Sequence, residues 1–105
     1  MKDRIIEMSL DSLDPSGERS RLVIELGKPY RAAEREWACP VAIRGLYDRL
    51  HDIRGVDSLQ ALCLAASLIR SLLEDYIQNG GTLMHPGSDY PYDIRASFSR
   101  VGDPS

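Results

Sequence analysis

The chain carries only two cysteines, Cys39 and Cys63, with one tryptophan, one phenylalanine and two histidines among its 105 residues. Two thiols so far apart in sequence make neither a disulfide framework nor a Cys-x-x-Cys metal or redox motif. Both are expected to be reduced and buried. Long apolar runs are missing as well. The longest stretch free of acidic, basic and histidine residues is residues 58–69, twelve residues, against the roughly 20 that a membrane-spanning helix needs. No membrane partner is therefore expected. Charge of one sign is not in excess: 13 Lys and Arg against 16 Asp and Glu leave a net charge of −3, which gives no pull toward nucleic acid. Eleven of the basic residues are arginines scattered from Arg4 to Arg100 among carboxylates, a pattern of separate ion pairs and not of a recognition patch. The first residues alternate charge with a two-residue apolar step and lack a secretory h-region, so a cytoplasmic protein is expected. Without repeats or linkers, residues 1–105 read as a single domain.

What is present is an α+β pattern. Ile6, Met8 and Leu10 alternate with Glu7, Ser9 and Asp11, and Leu22, Ile24 and Leu26 alternate with Arg21, Val23 and Glu25. Asp14-Pro15-Ser16-Gly17 lies between them, so the two segments predict a hairpin with one dry face. Residues 27–36 read as a loop. Trp37, Cys39, Val41 and Ile43 then fall on one side of a third strand, in which Pro40 requires an edge or a bulge. Residues 46–53 carry both a helical spacing, Leu46, Leu50 and Ile53, and the option of a strand.

The strongest local signal is Asp57-Ser58-Leu59-Gln60, a variant capping box that starts a helix near Ser58; Asn79-Gly80-Gly81 stops it. Along this helix Leu59, Leu62, Cys63, Ala66, Ile69, Leu73 and Ile77 form one apolar stripe, and Leu64, Leu68 and Leu72 belong to a second. One sheet covers one stripe, so the second predicts an interface, with a homodimer or another protein as the partner. Beyond residue 82 the chain is rich in turn residues, and only the alternation of Ile94, Ala96 and Phe98 suggests a last short strand or an ordered tail, which folded back would compete with a partner for the same stripe.

Trp37-Ala38-Cys39-Pro40, followed by Gly55-Val56-Asp57-Ser58-Leu59-Gln60-Ala61-Leu62 opening the helix, resembles a family of small bacterial proteins described only as a domain of unknown function. The likeness covers about residues 20–78. It implies a hairpin between the tryptophan and the helix, which decides residues 46–54 in favour of a strand, and it implies no activity.

Chemistry has few footholds. Cys39 before Pro40 has the look of a nucleophilic or redox site but lacks a second cysteine, and it would need a base from His51 or His85. A zinc site from Cys39, Cys63, His51 and His85 has the ligand types without the short spacing. No catalytic residue, cofactor or metal is therefore expected. The reading is a non-enzymatic interaction module, with a small enzyme or ligand-binding domain using Cys39, His51 or His85 as the alternative. The expected fold is an antiparallel meander of three to five strands with one long helix across one face.

Overall fold

The structure, a computed structural model, describes residue 1 and residues 3–98. Its elements run β1 (Arg4–Leu13), β2 (Arg19–Gly27), β3 (Tyr30–Ala33), β4 (Glu36–Cys39), β5 (Val41–Arg44), β6 (Ile53–Gly55), α1 (Ser58–Gln78), β7 (Thr82–Met84) and α2 (Ile94–Phe98). The α+β class and the long helix are as the sequence predicts. The strands, however, form two antiparallel sheets, one of four strands in the order β5-β2-β1-β7 and one of three in the order β3-β4-β6.

Strands β1 and β2 pair as the alternation requires, with Met8 opposite Ile24 and Leu10 opposite Leu22. Asp14 organises the turn between them: its carboxylate accepts from the Ser16 and Glu18 amides, both at 2.9 Å, and Gly17 takes the positive φ (92°) that a side chain would resist. Residues 27–36 are not a plain loop. Tyr30–Ala33 is a strand that pairs with β4 across a tight turn at Glu34-Arg35. It escapes an alternation reading because all four of its residues are exposed, so no apolar period marks it. The predicted third strand is split at Pro40. Glu36–Cys39 belongs to the three-stranded sheet and Val41–Arg44 to the other, and the Gly27 amide donates to the Pro40 carbonyl at the bend (2.9 Å). A proline has no amide to continue either ladder, which is why the chain changes sheets there.

Between β5 and β6 no helix forms. Tyr47 makes an isolated bridge to Ile43, and Ile53–Gly55 then pairs with β4, so a strand does lead into the capped helix. The tail is more ordered than its turn residues suggest: Thr82–Met84 joins the edge of β1, and Ile94–Phe98 is a short helix, not a strand. Four residues separate Ile94 from Phe98, which puts both on one helical face against the core.

Helix α1 spans the residues predicted for it. Asp57 is extended (φ −146°, ψ 172°) and its Oδ1 accepts from the Gln60 amide at 2.7 Å, while Gln60 Oε1 reaches back to the Val56 amide at 2.7 Å. At the other end the Gly80 amide donates to Ile77 and the Gly81 amide to Tyr76, a Schellman closure in which Gly80 holds φ 99°. Asp57→Ala is expected to lose about 1 kcal/mol. Amide exchange checks it: the first turn of α1 should lose protection, and unchanged protection there would reject the cap.

The buried residues of α1 are Ala61, Ala65, Ile69 and Leu73, with Leu62, Ala66, Leu68, Leu72 and Tyr76 half-buried around them. At about 100° per residue this face lies between the two predicted stripes and takes part of each. Ile69 is in the core as expected and Leu62 is at its border. Cys63, expected to be buried, is exposed. The seam is lined by two alanines because α1 approaches the sheets closely there. A Cβ on Gly55 would lie 2.6 Å from the Ala61 amide nitrogen.

On its outer side the four-stranded sheet buries two carboxylates. Its register sets Glu7 opposite Glu25, and Arg4 bridges both; Arg44 also binds Glu25. Asp11 accepts from Arg21 Nε (3.0 Å), Arg19 Nη2 (3.1 Å) and the Gly87 amide (2.8 Å), which ties the 85–91 loop to the sheet. The Gly87 amide, opposed by partial desolvation and helped by the two arginines, holds the Asp11 carboxyl below its ordinary 3.8. Burial works to raise Glu25, but Arg44 and Arg4 outweigh it and leave that carboxyl below 4.5. Both groups bind protons less readily folded than unfolded. Their contribution is complete above the unfolded values and is lost as pH falls through the folded ones. The denaturation midpoint is expected to hold from neutrality to about pH 5 and to drop below about pH 4. Chains carrying Asp11→Asn and Glu25→Gln together should show a shallower acid limb; an equally steep one would assign the loss to other groups.

Candidate interaction surface

The residues that the sequence offered for chemistry do not assemble. Cys39 is fully buried and its thiol donates to the Gly27 carbonyl at 3.5 Å. Burial, with a smaller contribution from Asp52, pushes that thiol up and away from the thiolate a nucleophile needs. His85 lies between the rings of Tyr90 and Tyr92, each with its centroid 5.7 Å away. His51 is in a separate place. It lines one of two adjoining open clefts, of about 490 and 500 Å³, that share Tyr30 and Asp52. The Tyr30 hydroxyl donates to Asp52, which raises the phenol above its ordinary value. Lys28 and Asp3 stand on one side of this bond and Arg54 on the other, and Arg54 pairs with Glu36 at 3.1 Å. Among the described residues no group of three or more His, Cys, Asp or Glu is placed to hold a metal ion.

The second helix stripe is divided by the packing. Leu68 and Leu72 are half-buried against the core, whereas Leu64 remains 44% exposed. Leu59 (68%), Val56 (64%) and Cys63 join it at the surface. All four lie at or near the N-terminal half of α1, where residues 58–69 contain no charge on any side. Charged residues begin only with Arg70, which pairs with Glu74 at 2.7 Å. A helix face open to water is ordinarily polar and charged, and depletion of charge around exposed apolar side chains is what distinguishes the centre of a contact surface.

Sequence reasoning missed Val56, Leu59 and Cys63 as surface residues. For Leu59 and Cys63 the signal was available in the uncharged run itself, which is too long to be buried on every side by two small sheets.

A family model described as a domain of unknown function (DUF6968) matches residues 8–93. The chain belongs to that family. The DUF6968 span takes in both sheets, apart from the first residues of β1, and all of α1 with its exposed half; α2 falls outside it. No curated protein and no solved structure matches the chain.

Proposed function

We propose that this DUF6968 protein is a non-enzymatic interaction module that works as a homodimer in the bacterial cytoplasm. Two copies would meet through Val56, Leu59, Cys63 and Leu64. The observation that carries the reading is the uncharged, partly apolar, solvent-facing half of α1. A two-fold contact sets a surface against itself, so any charge near the axis meets its own sign. Residues 58–69 are free of that penalty; Asp57, exposed between Val56 and Leu59 in the sequence, brings one carboxylate to the edge, where it caps the Gln60 amide. The bacterial setting rests on the resemblance of the Trp37-to-Pro40 and Gly55-to-Leu62 segments, and the cytoplasmic one on the two free thiols, Cys39 and Cys63, which a reducing compartment keeps unpaired.

Sedimentation at micromolar concentration tests the proposal. The parent is expected to run as a dimer and Leu64→Glu as a folded monomer, while Ser71→Glu, in the charged half, stays dimeric. Mild oxidation should cross-link the parent through Cys63 and leave Cys63→Ser uncross-linked. A monomeric parent would overturn the homodimer, and dimers that survive both Leu59→Glu and Leu64→Glu would overturn this surface.

A further inference from the structure

Further along α1, toward its C-terminal half, the inner face of the four-stranded sheet is not fully covered. Between it and the two helices lies a cleft of about 290 Å³. Met8 of β1, Ile24 and Leu26 of β2, Ala66 of α1 and Phe98 of α2 wall it, with Ile6 at a rim where it is 47% exposed. The cleft exists because Ala66 is short where α1 faces β1 and β2, and because Phe98 closes the opposite side without filling the gap. No charged side chain among the described residues lines it. Tyr92 lines it as well, and its hydroxyl is sealed from solvent with no hydrogen-bond partner among the described residues.

The size is about twice that of an apolar cavity of roughly 150 Å³ that stays dry and accepts benzene, and it is near the lower end, about 300 Å³, of small-molecule sites. A cleft of this lining gains little from water, which needs two or more polar partners to be held. The chain beyond Phe98, Ser-Arg-Val-Gly-Asp-Pro-Ser, offers one branched apolar side chain and two charges, a poor match for these walls. Two aromatic rings and a thioether favour a flat ring as the guest, through edge-to-face and sulfur–aromatic contacts.

We propose that this cleft binds a small uncharged aromatic molecule of one ring, held among Met8, Tyr92 and Phe98. Titration of the full chain with toluene, followed by the methyl resonances of labelled Ile, Leu and Met, tests it. Saturable shifts are expected at Ile6, Met8 and Ile24, with Leu59 and Leu64 unmoved. Ala66→Phe fills the cleft and Ile6→Asp charges its rim; each should weaken binding by about tenfold or more. Ile6 is half-exposed, so its variant keeps the fold and carries the test even if Ala66→Phe does not fold. The proposal is overturned if toluene produces no saturable shift up to its solubility in water. It is equally overturned if both variants bind as the parent does, if the shifts fall at Leu59 and Leu64, or if 1-hexanol binds and toluene does not.

Discussion

Ile69→Ala is expected to destabilise the fold by about 2–5 kcal/mol, the range for removing a buried branched chain from a close-packed core. Ile69 is 1% exposed and packs in the main apolar cluster, on the α1 face that looks toward the sheets. It also lines the cleft beneath Phe98, so part of the space it vacates adjoins an existing gap and has no neighbour ready to collapse into it. That places the cost in the upper part of the range. Denaturant unfolding of the variant checks it, with Leu59→Ala as the comparison: Leu59 is as apolar but 68% exposed, and should change stability by no more than about 0.5 kcal/mol. Equal losses at the two positions would mean that the helix is rotated from the orientation described.

The second large effect is expected at Gly55, where the obstacle is the backbone. The Cβ of an alanine there would sit 2.6 Å from the Ala61 nitrogen and 3.1 Å from the Ala61 Cα and Gln60 carbonyl carbon. None of these atoms can turn away as a side chain would. Either the first turn of α1 lifts from β6, or Gly55 leaves its place opposite Trp37 in the three-stranded sheet. Gly55→Ala should cost about 1–3 kcal/mol, the usual penalty for overpacking, and Gly55→Val more. Chemical denaturation measures it, and Val56→Ala, one residue on and 64% exposed, should remain close to the parent. A Gly55→Ala chain as stable as the parent would show that α1 does not approach the sheet this closely. Lifting this turn also displaces Val56 and Leu59. In the proposed dimer the variant is therefore expected to weaken the contact beyond its loss of stability, which sedimentation of the still-folded fraction would reveal.

The sequence by itself determined the elements whose causes are local. An Asp57 side chain three residues from the amide it caps, a Gly80 that can adopt positive φ, and an Asp14 that accepts from its own turn all act within a few residues. The helix bounds and the β1–β2 hairpin were therefore legible. So was the burial of Cys39, which follows from its place beside Trp37 and Val41 in the strand alternation.

Tertiary structure decided everything that depends on what lies across the chain. Pro40 announced an interruption, but that the strand crosses from one sheet to another depends on Gly27 and β2 being there to receive it. Glu34-Arg35 closes a hairpin whose fully exposed strand has no hydrophobic period to read. Cys63 is exposed and Ala61 buried because burial follows the seam between two stripes, and with apolar side chains spread around most of α1, periodicity could not choose the seam. The choice fell where alanines permit the closest approach to Gly55, a contact between residues that the sequence does not mark as partners. For the same reason Leu59 reads from the sequence as part of the sheet-facing stripe, and only the packing leaves it facing water.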